Sequence, residues 1–134
     1  MSTAESFTPV LNDLGSVGAG TSLWDVSKGL YLRLTCTAST RTIGTPFMGT
    51  HRDPNSPFGA DVQDPITAVG TGLPVGTVVF VEVKNTSGGA VTVTWPAIVK
   101  GAPANPATAN RRIHMFVFDG TNLVLANQAA DIAN

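Results

Sequence analysis

The chain has 134 residues, a formal net charge of −1 and 13% charged residues, whereas an ordinary soluble domain carries about 25%. This length suits one domain with its own apolar core, since domains commonly contain about 100–150 residues. The near-neutral charge argues against a nucleic-acid-binding protein, because phosphate contacts require a basic patch. A surface with so few charges is weakly solvated, which indicates that other chains cover part of it.

The first 28 residues combine a short apolar patch with a glycine-rich run at 15–20. The patch contains Phe7, Val10 and Leu11. Glycine weakens both helices and strands, so we predict an extended N-terminal arm over residues 1–28. Its three apolar side chains are candidate contacts with another subunit.

Alternating apolar and polar residues begin at Leu30 and continue through Cys36, a spacing typical of a β-strand with one buried face. The strongest strand pattern covers residues 77–85, and the turn at 86–89 predicts a hairpin with residues 90–95. Asp-Gly-Thr-Asn at 119–122 predicts a second tight hairpin, between Phe118 and Leu123. We therefore predict an all-β domain over residues 29–127, an antiparallel β-sandwich or barrel-like fold of about six to eight short strands. Residues 128–134 are weakly patterned and form a C-terminal tail.

Two of the predicted strands carry apolar residues on both faces. These are residues 77–85 and residues 113–118. In the first strand we take Val79, Val81 and Val83 as the core face, which places Val78 and Phe80 on the opposite face. In the second strand we place Phe116 and Phe118 on that same opposite face. An exposed patch of this size is unusual for a monomer. We predict that it forms the interface of a homo-oligomer, most simply a trimer.

Residues 48–74 are rich in glycine and proline and have no lasting periodicity, which is typical of a functional loop. The candidate interaction residues are His51, Arg52, Asp53, Phe58, Asp61 and Asp64. The three aspartates could offer oxygen ligands to calcium, but their spacing matches no calcium motif. Loop aspartates are more commonly turn formers, and we predict no metal site.

No catalytic constellation is present in the sequence. The two histidines, His51 and His114, lie in no serine-hydrolase or zinc-protease motif, and His114 is expected to be packed in a strand or between subunits. Cys36 is the only cysteine, so neither a disulfide framework nor a thiolate zinc site is expected. We predict a protein without enzymatic activity or a cofactor.

Three aromatic residues, Trp24, Tyr31 and Trp95, could form a platform for sugars, although buried aromatic residues are the more common outcome. No apolar stretch approaches the roughly 20 residues of a membrane span, and no signal peptide is evident. We therefore expect neither a membrane partner nor a nucleic-acid partner, and we expect the protein to fold in a cytosol.

One run of elements resembles a known group of proteins. Residues 91–96 read Val-Thr-Val-Thr-Trp-Pro, a loop of proline, alanine and asparagine follows, and residues 113–118 read Ile-His-Met-Phe-Val-Phe before Asp-Gly-Thr-Asn at 119–122. This order resembles the β-domains of tailed-bacteriophage virion proteins, namely tail fibres, head fibres and capsid decoration proteins. Residues 41–46 and 76–81 fit the same order, so the resemblance covers about residues 30–126.

The resemblance implies a structural protein of the virion, assembled in the host cytoplasm. The sequence has no coiled coil, collagen-like repeat or β-helical shaft, which favours a decoration or cement protein that binds the major capsid protein and stabilises the assembled shell. The alternative is a fibre-type module that binds a host receptor or glycan through the 48–74 loop. Such decoration proteins are often trimers.

Overall fold

The structure is a computed structural model that describes residues 10–134. The all-β fold is confirmed, because strands account for 49% and helix for 2% of these residues. Twelve short strands are formed there, more than the six to eight predicted: β1 (Leu11–Val17), β2 (Thr21–Ser22), β3 (Tyr31–Cys36), β4 (Thr40–Ile43), β5 (Phe47–Arg52), β6 (Asp61–Pro65), β7 (Val78–Asn85), β8 (Thr92–Thr94), β9 (Val99–Lys100), β10 (Asn110–Phe118), β11 (Leu123–Gln128) and β12 (Ile132–Ala133).

Two sheets enclose the core, and a separate two-stranded ribbon is formed by β5 and β6. The larger sheet has the order β1-β3-β7-β10-β11-β9, with β12 also paired to β10, and the smaller one has the order β2-β4-β8. Their apolar side chains belong to one cluster that includes Leu32, Val81 and Phe116 from the larger sheet and Ile43 and Val93 from the smaller. The fold is therefore sandwich-like, with one broad layer and one narrow layer.

The sheets are mixed, so the prediction of an antiparallel fold is wrong for much of the molecule. The β1–β3, β3–β7, β2–β4 and β4–β8 pairs are all parallel. Parallel neighbours require a crossover. The β1–β3 and β2–β4 crossovers each consist of one strand of the other sheet, whereas the β3–β7 and β4–β8 crossovers also include the β5–β6 ribbon. The period-2 pattern of apolar and polar residues does not show which of the two sheets a strand joins.

The predicted hairpin between residues 77–85 and 90–95 is wrong. Both edges of β7 are occupied, by β3 on one side and β10 on the other, so β8 pairs with β4 in the smaller sheet. The side chain of Asn85 stabilises the turn through which the chain leaves the larger sheet after β7. Its side-chain amide donates to the Gly89 carbonyl at 2.8 Å, and its Oδ1 accepts from Ser87 Oγ at 2.7 Å. By contrast, the predicted hairpin at 119–122 is present between β10 and β11.

The prediction of an extended arm is wrong for residues 10–28, while residues 1–9, including Phe7, lie outside the described residues. β1 forms the edge of the larger sheet, and Trp24 is fully buried in the core. Gly29 permits this arrangement because a Cβ at that position would overlap the Val10 carbonyl oxygen. The β-domain also extends past residue 127, since β12 pairs with β10 within the predicted C-terminal tail.

Candidate functional site

The 48–74 segment, predicted as an interaction loop, contains the β5–β6 ribbon. Phe58 lies in the connection at its tip and is 92% exposed. The connection is closed by the Asp53 backbone N–H, which donates to the Ala60 carbonyl at 2.9 Å, while Asp53 Oδ1 accepts from the Asn55 N–H at 2.9 Å. The ring is thus presented to solvent by a hydrogen-bonded turn rather than by a structureless loop.

Polar side chains link the two strands of the ribbon. His51 Nδ1 lies 2.8 Å from Asp64 Oδ1, and both side chains are more than a third exposed. Arg52 and Asp61 are opposite each other in register. Such exposed pairs contribute at most about 1 kcal/mol to the stability of the fold. Among the hydrogen bonds of residues 10–134, none joins His51 to a hydroxyl or thiol group that could act as a nucleophile. The pair therefore fits a structural role in the ribbon.

The side of the larger sheet that faces away from the core is called the outer face here. Register partners share a face of a sheet, so Phe80 lies beside Tyr31 and Met115, and Val78 lies beside Val117. The Tyr31 and Phe80 rings stack with centroids 5.7 Å apart. All five of these side chains lie on inner strands of the sheet and are half-buried.

The sequence placed four residues on this outer face, and two of them lie elsewhere. Val78 and Phe80 are on it, but Phe116 and Phe118 are buried in the core. Phe116 is opposite Val79 in register, which puts it on the core face. On β10 the outer residues are instead Ile113, Met115 and Val117. Of the remaining candidate interface residues, Val10 and Leu11 are exposed at the start of β1.

A charged cluster occupies the other half of the outer face, with Glu82 at its centre. Glu82 is only 3% exposed and accepts a 2.6 Å hydrogen bond from the Tyr31 hydroxyl. Arg33 Nε is 3.3 Å and Arg111 Nη1 is 3.9 Å from Glu82 Oε2, and Arg33 Nη1 is 3.7 Å from Asp13 Oδ2. Burial, followed by the hydrogen bond to Glu82, raises the pKa of Tyr31 to about 12.

His114 is packed inside the core, beneath the two aromatic rings of Trp95 and Phe116. Its ring is fully buried, with centroids 5.3 Å from Trp95 and 6.2 Å from Phe116. Burial, assisted by the charge of Arg112 and opposed by Gln128, lowers the pKa of His114 to about 4. Within the described residues neither ring nitrogen has a partner of hydrogen-bond geometry, and the Gln128 amide oxygen accepts from the Ala104 N–H.

A cleft of about 380 Å³ with a mixed lining lies between β1, the segment of the short 3₁₀ helix Val26–Lys28, and β5. Its lining combines the polar side chains of Asn12, Asp25, Lys28 and Thr50 with the apolar side chains of Leu14, Leu23 and Phe47. Asp25 is fixed by hydrogen bonds from Ser27 Oγ at 2.6 Å and the Gly49 N–H at 2.9 Å. No sequence pattern predicts this cleft, because its residues come from three separated segments.

Three further findings limit the chemistry within residues 10–134. No group of three or more histidine, cysteine, aspartate or glutamate side chains is placed to hold a metal ion, so Asp53, Asp61 and Asp64 do not converge on one site. Cys36 is buried and its pKa is raised by that burial. No helix in this part of the chain is long and apolar enough to cross a membrane.

The chain matches no protein-family model, no curated protein and no solved structure.

Proposed function

We propose that this protein is a non-enzymatic structural component of a tailed-bacteriophage virion, and specifically a capsid decoration or cement protein. The sequence resemblance of residues 30–126 supports the setting. The low charge content supports a mode of action by surface burial. Its partners would be the major capsid protein and further copies of the chain, most simply as a homotrimer, and it would be incorporated into the virion in the host cytoplasm.

The observation that carries this proposal is the ordered presentation of Phe58. A phenylalanine that is 92% exposed at the tip of a hydrogen-bonded ribbon stabilises nothing in its own chain. Burying such a side chain against another protein contributes about 1.5–3 kcal/mol. A protein that binds the assembled shell but not its free subunits stabilises the shell by mass action at every site. We infer that the ribbon tip contacts the shell.

The test is quantitative binding to particles that lack the protein. Phe58→Ser should weaken the dissociation constant by roughly 10- to 150-fold, the range that corresponds to about 1.5–3 kcal/mol. Val69→Ser is the matched control, because Val69 is fully exposed and lies outside the β5–β6 ribbon. Particles without the protein should rupture at a lower temperature than decorated ones. Equal occupancy of the two variants would contradict the assignment of the ribbon tip.

The second candidate function is a fibre-type module that binds a host receptor or glycan, and the cleft beside β1 and β5 favours it. A carboxylate, an amide, an ammonium group and a hydroxyl beside apolar walls match the mixed polar and apolar surface of a sugar. NMR titration with simple monosaccharides and disaccharides tests it, with Thr50→Val as the variant and Thr67→Val as the control. Particles that lack the protein, remain robust and fail to adsorb to cells would favour this second function over the first.

A further inference from the structure

We propose that residues 101–109 are an acid-sensitive strap, which is released when protonated His114 takes the hydrogen-bond acceptor that holds Ala104. The strap joins β9 to β10. The acceptor is the Gln128 amide oxygen, which receives the Ala104 N–H at 2.9 Å. Acid would thus open one segment of the domain while the central strands stay folded. This switch would operate in the isolated chain, whatever the chain binds.

The strap contains no strand and depends on single side-chain contacts with the rest of the domain. These contacts include hydrogen bonds of Gln128 with Ala104 at 2.9 Å, of Asp131 with Ala107 at 3.2 Å, and of Asn105 with Val93 at 3.0 Å. Segments with few ladder hydrogen bonds open locally at a lower free energy than central strands do. The loss of one such contact therefore favours release of the strap.

Backbone strain at both ends of the strap also favours the released state. Ala102 has a φ of 53° and Ala109 has a φ of 59°, and residues with a Cβ adopt such left-handed conformations at a cost in free energy. Gly101 approaches β11 so closely that a Cβ at this position would lie 2.7 Å from the Leu125 Cβ. The closed strap is therefore a strained arrangement that its side-chain contacts maintain.

His114 lies beside the contact that holds Ala104. His114 and Gln128 are register partners on β10 and β11, and Gln128 already acts on the ring, since it opposes the lowering of the His114 pKa. A protonated imidazole has two N–H donors and no acceptor. In residues 10–134 neither ring nitrogen has a partner of hydrogen-bond geometry, so the Gln128 oxygen must turn to reach the ring. That movement takes it away from the Ala104 N–H.

The nearby ion pair offers the proton no better partner. Arg112 precedes His114 by two residues on the same face of β10, and its positive charge lowers the pKa of His114. Its Nε lies 3.0 Å from Asp131 Oδ1, which also accepts from the Ala107 N–H. Because this carboxylate oxygen is already shared by two donors, the amide oxygen of Gln128 is the acceptor that the ring can take.

The other elements around His114 turn their charged side chains elsewhere. The register partners that share its row of the larger sheet are apolar: Leu32 of β3 and Val81 of β7. β11 and the strap contain no titratable side chain. The charged residues of the neighbouring strands are Glu82 and Lys84, on the outer face of β7, and Arg41 of β4, which donates to a β2 hydroxyl at 2.8 Å.

Native-state hydrogen exchange of the full chain, measured by NMR at about pH 7.5 and about pH 4.5, tests this switch. The protection factor of the Ala104 amide should fall at least tenfold at the lower pH. The limit is about 70-fold, which corresponds to a His114 pKa of about 4 in the closed state and 6.5 in water. Low concentrations of urea should barely change the Ala104 value, because a local opening exposes little surface, whereas the Val81 amide of the central strand should respond steeply.

Two variants and a control assign the effect. His114→Leu, or His114→Phe if circular dichroism shows that the leucine variant does not fold, should remove most of the pH dependence, and whatever remains belongs to Asp131. Gln128→Leu should lower the protection of Ala104 at least tenfold already at about pH 7.5. Gln63→Leu is the matched control, since Gln63 is exposed on the ribbon, and it should behave as the wild type does.

Three results overturn the inference. The first is an Ala104 protection factor that is equal at the two pH values. The second is a folded His114 variant with the same pH response as the wild type. The third is a urea dependence of Ala104 as steep as that of Val81, which would mean that acid acts only through unfolding of the whole domain. None of these results bears on binding to particles, so the proposed function stands or falls separately.

Discussion

Burial of His114 makes the stability of the fold depend on pH between about pH 4 and pH 6.5. The ring is fully buried among Trp95 and Phe116, and no ring nitrogen is hydrogen-bonded within the described residues. Protonation would place an unpaired charge in this apolar environment, and the charge of Arg112, which also lowers the pKa of His114, is positive as well. The folded state therefore resists protonation, whereas the unfolded chain accepts a proton normally.

The direction and size of the effect follow from this difference. The folded pKa is about 4 and the ordinary value is 6.5, so the unfolded state binds more protons between these values and stability falls as the pH falls. Above pH 6.5 the penalty is absent. At about pH 4.5 it amounts to about 2.5 kcal/mol for these two pKa values, a large fraction of the stability of a small domain.

Urea unfolding of the wild type and of His114→Leu at about pH 7.5 and about pH 4.5 tests this reasoning. The leucine variant does not titrate at this position, so its stability relative to the wild type should rise by about 2–3 kcal/mol at the lower pH. All other acidic and basic groups are common to both proteins and cancel in the comparison. A difference between the two proteins that is the same at both pH values within about 0.5 kcal/mol would refute the argument.

Three further predictions concern the fold. Phe116→Ala should cost about 3–5 kcal/mol in urea unfolding, whereas Met115→Ala, one residue away on the outer face, should cost less than half as much in the unassembled chain; equal losses would contradict the assignment of faces. Gly29→Ala should lower the melting temperature more than Gly88→Ala, because only the former meets the backbone of β1, although both have a positive φ. Asp119→Ala should lower the urea midpoint, since its carboxylate accepts two backbone N–H groups in the β10–β11 turn; an unchanged urea midpoint would show that the turn does not depend on it.

The sequence predicted those elements whose pattern is local. The alternation of Leu32, Leu34 and Cys36 places β3 correctly, and the Asp-Gly turn at 119–120 joins β10 to β11 as expected. These signals depend only on neighbouring residues, namely the two-residue period of a strand and the backbone demands of a tight turn. These signals predict the strand and the turn correctly whichever strands pair with one another.

The failed predictions concern partners far apart in the chain. β7 has apolar residues on both faces and two occupied edges, so it is a central strand and cannot form a hairpin with β8. On β10 the prediction placed Phe116 and Phe118 opposite the core, whereas the register with β7 and the burial of these rings place both, together with His114, in the core. When both faces of a strand are apolar, periodicity does not select one of them, and the partner strand decides.

The arrangement of surfaces has a consequence for the proposed function. The exposed Phe58 belongs to the small β5–β6 ribbon, whereas Met115 and Glu82 belong to the larger sheet. The sheet face is broad and combines apolar side chains around Phe80 and Met115 with charged side chains around Glu82, which suits contact over a wide area. The ribbon offers one protruding aromatic ring, which suits insertion into a pocket of a different protein. A decoration protein needs both kinds of contact at once, and their placement on separate elements would let each be altered without loss of the other.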